Sequence, residues 1–141
     1  MSKRHKAREY ALQGLYMYEV SKSSSDNIID NIIEFEWLDD NISKDTNEFT
    51  VKLIEGVISK IENIDSVIKD YSKNWDFERI SIIDKSILRL AIFEMLFMED
   101  IPSVVTINEC IELGKTFGGE NSGQFINGIL DAVKNNKLKE G

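Results

Sequence analysis

Cysteine, proline and histidine each occur once in the 141 residues, as Cys110, Pro102 and His5. A lone cysteine excludes an intrachain disulfide and suits a reducing, cytoplasmic setting. One thiol and one histidine cannot make a zinc site, which needs several such ligands. A Ser/His/Asp set would have to use His5 at the start of the chain. Only two of the eight glycines precede Gly114, and alternating Val/Thr/Tyr runs of the strand type are missing. No stretch approaches the roughly 18 apolar residues that span a bilayer, so no membrane partner is expected. The basic start runs into Glu9, Gln13 and Glu19, not into the apolar run of a secretion signal. Positive charge is also scarce, with 17 Lys and Arg against 25 Asp and Glu. That balance argues against nonspecific coating of nucleic acid. It leaves room for a local basic patch, because charges more than about 8–10 Å apart are largely screened at physiological salt.

What the chain does have is 42% hydrophobic residues, enough for a sizeable core in one domain of this length. It also has "KRHKARE" at residues 3–9. Lys3, Arg4, Lys6 and Arg8 leave the remaining 13 cations facing 25 acids. The composition suits an all-α fold.

Helical periodicity runs through the sequence. Ala7, Ala11, Leu15 and Tyr18 mark a first helix over 3–20. Arg4 and Arg8 continue that stripe, so this end either projects past the core or meets a negatively charged partner. Tyr16 lies about 100° off the stripe, a half-exposed position. Asp26 is placed to cap a short second helix through Ile28, Ile29, Ile32, Ile33 and Phe35. Residues 38–44 read as a loop. Asp45 and Glu48 resemble a capping box that opens a long third helix to Tyr71, with the stripe Val57, Ile61, Ile64, Ile68 and Tyr71. "SKNWDFE" follows, with Trp75 and Phe77 expected to anchor the connection. Residues 79–98 are apolar on nearly every face, as a central buried helix should be, with Asp84, Lys85, Arg89 and Glu94 as exceptions. Pro102 stops it. Thr106 and Glu109 form a second apparent capping box, Gly118-Gly119 ends that helix, and Asn121 or Ser122 caps the last one. "NNKLKEG" is expected to fray.

Catalytic and nucleotide signatures are missing. Gly114-Lys115-Thr116 ends like a phosphate-binding loop, but Glu109 stands where that loop needs glycine. Residues 118–123 lack GxGxxG spacing and a preceding strand. Cys110 reads as core, and the acid pairs Asp39-Asp40 and Glu99-Asp100 as solvated charge. The protein is therefore expected not to be an enzyme and to need no cofactor and no metal. The basic end is either a solubilising terminus or a phosphate-binding surface; on composition the two readings balance.

Two blocks tip the balance. "KAREYALQGLYMYE" (6–19) and "DKSILRLAIFEMLFMEDIPSVVTINECIELGKTFGGENSGQFINGILD" (84–131) resemble the N- and C-terminal signatures of the NusB family of transcription antitermination factors. The resemblance implies an all-α fold of two helical subdomains, about seven helices sharing a core. They form a three-helix part over about 1–74 and a four-helix part over about 75–141. It implies a non-enzymatic bacterial, cytoplasmic protein that joins the ribosomal protein NusE on single-stranded boxA RNA. Those transcripts are mainly ribosomal RNA leaders, and the factor helps RNA polymerase, with other Nus factors, read through terminators. Some members of the family are thought to pair, so a homodimer is a further expectation.

Position by position, Lys3, Arg4, His5, Lys6 and Arg8 match the family's Arg-rich RNA-binding start. Lysine stands at some positions where arginine is common and lacks its bidentate fork. Phe117, Gly118, Asn121, Gln124 and Phe125 match a second RNA-facing region. Asn121 replaces a common Asp there, and Gln124 a common Lys. Tyr16, Glu78 and Asp84 match positions that face the protein partner. On periodicity alone Phe117 and Phe125 could be core, and Glu78 and Asp84 could simply favour a helix N-terminus. Other readings are a protein-interaction module whose basic end docks an acidic protein surface, and the NusB-like domain of a ribosomal RNA methyltransferase. The latter is not expected, because no methyltransferase domain follows.

Overall fold

The structure, a computed structural model, describes residues 3–22, 26–30, 44–72 and 75–136. All regular elements among them are helical. They are α1 (Lys3–Ser21), a helical stretch at 26–30, α2 (Lys44–Ser59), α3 (Ile61–Tyr71), a 3-10 turn (Phe77–Arg79), α4 (Ile82–Phe97), α5 (Ser103–Phe117) and α6 (Ser122–Asn136). The expected all-α class and about seven helices are found. Ile32, Ile33, Phe35, the 38–43 part of the expected loop, the side chain of Asp45 and the tail from 137 onward lie outside the described residues. Among the described residues, no helix is long and apolar enough to cross a membrane.

The chain divides into two compact units, Met1–Ser59 and Lys60–Gly141. In the first, α1 packs on α2. Ala7, Ala11 and Leu15 are buried on α1, and Leu53, Ile54 and Val57 on α2. Small residues on α1 permit the close approach that lets buried Thr50 donate its hydroxyl to the Ala7 carbonyl at 3.4 Å.

The second unit is built around α4, which packs on α3, α5 and α6. Every residue from Lys85 to Met95 is buried, so this helix has no solvated face in its middle. Fully burying each of Ile87, Leu88, Leu90 and Ile92 contributes about 1.5–3 kcal/mol. Its start is set by Ser81, whose Oγ accepts from the Asp84 N–H at 3.1 Å.

Three local readings change. The long third helix is two helices, interrupted at Lys60, which has φ −111° and ψ 16°. The Ser59 hydroxyl donates to the Gly56 carbonyl at 3.0 Å, an alternative to helical continuation that serine favours. The compact units accordingly part at Ser59 and Lys60, not near residue 74: α3 packs on α4 and belongs with it. Finally, Thr106 does not cap α5. Pro102 is the N-cap and Ser103 opens the helix. Thr106 is fully buried and donates to Glu94 Oε1 at 2.9 Å. A carboxylate with no exposure needs such a donor.

Candidate nucleic-acid interface

Two surfaces carry the expected residues, one in each unit. The first is the start of α1. At 100° per residue Arg4 and Arg8 lie about 40° apart, whereas Lys6 points about 160° away from Arg4. The contacts follow this split. Arg4 and Arg8 both stack on Phe49 of α2, with guanidinium carbons 4.9 and 5.6 Å from the ring centroid. Lys6 lies over Tyr10 at 5.5 Å. Glu9 accepts from His5 Nε2 at 3.1 Å and sits 3.7 Å from Lys6 Nζ. Such one-turn pairs are worth only about 0.3–0.5 kcal/mol, so an incoming phosphate can compete for Lys6.

Exposure separates these residues further. Arg4 and Lys6 are exposed and His5 is half-buried. Arg8 is only 2% exposed. The stripe therefore carries Arg8 into the fold, and its guanidinium serves packing on Phe49 instead of a solvent-facing phosphate site. Lys3 lies in α1, but its side chain is outside the described residues. Farther along α1, Tyr16 and Val20 are 42% and 58% exposed. They stand one turn apart and make an apolar step on the helix surface.

The second surface is the turn between α5 and α6 with the chain that faces it. Phe117 ends α5, and the Gly118 N–H donates to the Gly114 carbonyl at 2.9 Å. The Gly119 N–H donates to Ser122 Oγ at 2.8 Å, and the Phe125 N–H to the Asn121 carbonyl at 3.0 Å. Gly118 is required by space: a Cβ there would lie 2.7 Å from the Gly114 carbonyl oxygen and collide with Ser122. Gly114 allows α5 and α6 to approach, since its Cβ would meet Ile126 Cδ1 at 2.8 Å. Gly114-Lys115-Thr116 thus lies in the last turns of a packed helix, where no phosphate loop can form. Cys110 is fully buried, and the described residues hold no cluster of potential metal ligands.

A cleft of about 880 Å³ opens beside this turn. Asn121, Gln124 and Phe125 line it together with Tyr71, Ser72, Trp75, Arg79 and Asp84. Asn121 and Gln124 are exposed. Phe125 is half-buried and meets Trp75 edge to face, with centroids 5.2 Å apart and planes at 73°. Trp75 is 61% exposed. Asp84 Oδ1 and Ser72 Oγ are buried and have no hydrogen-bond partner among the described residues.

The wall of the cleft is fixed from behind. Arg89 donates from Nε to Asp65 Oδ1 at 2.8 Å and from Nη2 to Oδ2 at 2.9 Å. The Phe77 ring collects Lys85 Nζ at 4.3 Å, Lys69 Nζ at 4.9 Å and the Arg89 guanidinium at 5.9 Å. These interactions hold the 3-10 turn that carries Arg79. Phe77 is the anchor its position suggested, whereas Trp75 is a surface residue.

Asn121, Gln124, Phe125 and Asp84 thus share one cleft. Phe117 is 40% exposed and Gly118 half-buried at the turn, but neither lines the cleft. Glu78 is exposed in the 3-10 turn, its N–H donating to Asp76 Oδ1 at 3.2 Å. Trp75, Arg79 and Ser72 were not singled out from the sequence as site residues. The signal was an aromatic in a polar stretch, which reads equally as an anchor.

Residues 5–135 match the model of the NusB family. The transcription antitermination protein NusB of Syntrophus aciditrophicus (strain SB) is 49% identical over 133 residues, covering 94% of this chain and 80% of that protein. A solved T. maritima NusB superposes with a TM-score of 0.85 at 36% identity, covering 94% of this chain and 91% of the other. A crystal structure of the antitermination factors NusB and NusE in complex with dsRNA contains a chain that matches with a TM-score of 0.84 at 26% identity, covering 96% and 98%.

Proposed function

Because the chain belongs to the NusB family, a family of antitermination proteins and not of enzymes, we propose that it is an RNA-binding antitermination factor. It recognises boxA in nascent transcripts, chiefly ribosomal RNA leaders, together with the ribosomal protein NusE. In that complex it works with RNA polymerase and other Nus factors in the bacterial cytoplasm to carry transcription through terminators. A homodimer, as some members of the family are thought to form, is part of the same proposal.

The observation that carries this reading is the cleft beside the α5–α6 turn. Exposed aromatic and amide side chains are the groups that hold unstacked RNA bases and read their edges. Trp75, Phe125, Asn121 and Gln124 supply them in one place. Arg4 and Lys6 add phosphate contacts, and Lys3 and His5 extend that set. Arg8 acts indirectly, by seating α1 on Phe49. Phe117 and Gly118 shape the turn. Tyr16, Glu78 and Asp84 face the ribosomal partner, with Val20 extending the apolar step beside Tyr16.

The test is a titration of boxA-containing and scrambled single-stranded RNA, with and without NusE. A double-stranded arm is included because the related solved complex holds dsRNA. The boxA strand should bind tightest, and NusE should tighten it further. Equal binding of the scrambled strand, unaffected by NusE, would overturn the proposal.

A further inference from the structure

We infer that the end of the second unit where α4 closes and α5 opens docks a short protein segment carrying apolar side chains flanked by arginine or lysine. No residue of this end lines the cleft, and the inference does not depend on RNA binding.

Among the described residues seven large hydrophobic side chains are exposed, and three of them belong to this end. Phe97, the last residue of α4, is 39% exposed. Val104 and Val105, in the first turn of α5, are 53% and 41% exposed. The link between the helices is short, and its Ile101 N–H donates to the Met98 carbonyl at 3.2 Å. Met98 and Ile101 are buried, so the link does send apolar side chains into the core while Phe97, Val104 and Val105 stay outside. Phe97 is held in place by Phe93, with centroids 5.7 Å apart and planes tilted by 30°. Two neighbouring valines on a helix surface lower helix propensity and bury little in the free chain. Single exposed hydrophobics need no explanation, but a group of them at one end of a unit marks an interaction site.

Charge selects the occupant. Glu99 and Asp100 are exposed in the link and put two carboxylates beside the apolar groups. Lys60 Nζ lies 5.6 Å from the Phe97 centroid, so the ring already draws a cation. A partner bringing cations meets carboxylates at the rim and an aromatic ring at the centre. A second copy docked through the same face about a two-fold axis would bring Glu99 and Asp100 toward their own copies, which is repulsive. Nucleic acid and anionic lipid meet the same repulsion, and valine offers no ring for a base to stack on. The position leaves the face free while the cleft is occupied. Along α4 and α5 it stands roughly 20 Å from Asp84 and Phe117, at about 1.5 Å per residue.

The experiment uses a fluorescein-labelled helical peptide of about three turns, with leucines along one face and arginines on either side of them. One control peptide has glutamate for arginine, and another has serine for leucine. Binding to the intact chain is read by fluorescence anisotropy without RNA. The leucine–arginine peptide should bind about tenfold more tightly than either control. Val104→Ser combined with Val105→Ser should weaken it about tenfold, and Glu99→Lys about threefold. All three positions are exposed, and melting curves check that the variants fold. Titrations of boxA RNA and of NusE should be unchanged in both variants, which separates this face from the cleft. Failure of the peptide to bind at low salt would overturn the inference, as would equal binding of the glutamate control. Unchanged peptide binding in the double valine variant would also overturn it, because the cations would then be meeting the acidic surface at large. Loss of a homodimer in that variant would give the face to a second copy and overturn the assignment to a basic partner.

Discussion

The start of α1 buries an arginine, Arg8 at 2% exposed, while the cleft of the second unit presents a tryptophan, Trp75 at 61%. The first surface is rich in charge, yet part of that charge is structural. The second has few cations, but it has an exposed indole and two exposed amides. A surface of cations contributes affinity that falls with salt and is indifferent to base identity. A surface of rings and directional hydrogen-bonding groups contributes affinity that resists salt and depends on the base. The two units therefore offer complementary kinds of binding, and variants can separate them.

The largest expected effect lies behind the cleft. Asp65→Ala leaves the Arg89 guanidinium, 5% exposed, without its bidentate partner. The second unit should lose about 3 kcal/mol in denaturant unfolding, and cleft-dependent binding should decline with it. In the first unit, Arg8→Ala should cost about 2 kcal/mol, because the side chain packs against Phe49. Arg4→Ala, on the same Phe49 ring but exposed, should cost under about 1 kcal/mol. Equal losses from the two arginine variants would show that Arg8 is not the structural one. Tyr16→Ala should be smallest in stability, within about 0.5 kcal/mol, yet it should weaken NusE binding about tenfold. An unchanged NusE affinity would remove Tyr16 from that interface.

Much of this was legible in the chain. The helices, the Gly118-Gly119 stop and the central buried helix follow from periodicity and turn residues. Even the continuity of Arg8 with the Ala7–Ala11–Leu15 stripe was visible, although burial of a guanidinium needs a ring such as Phe49 supplied from another helix. The interruption at Lys60 was hidden because the apolar spacing of Val57, Ile61, Ile64, Ile68 and Tyr71 continues across it in the sequence. Thr106 and Glu109 have the spacing of a capping box, but the buried Glu94 on α4 requires a donor that local spacing cannot reveal. The cleft was legible only in pieces. Asn121, Gln124 and Phe125 come from one segment and Asp84 from another, and no local pattern indicates that Tyr71, Ser72 and Trp75 close the space between them.

The most direct test of the central claim is the salt dependence of boxA RNA binding in two variants. Arg4→Gln with Lys6→Gln should flatten the plot of log affinity against log salt, by roughly 0.7 for each phosphate no longer neutralised. Trp75→Ala should lower the line while leaving its slope unchanged. A flattened slope in Trp75→Ala, or an unchanged slope in the double variant, would contradict the division of binding between the two units.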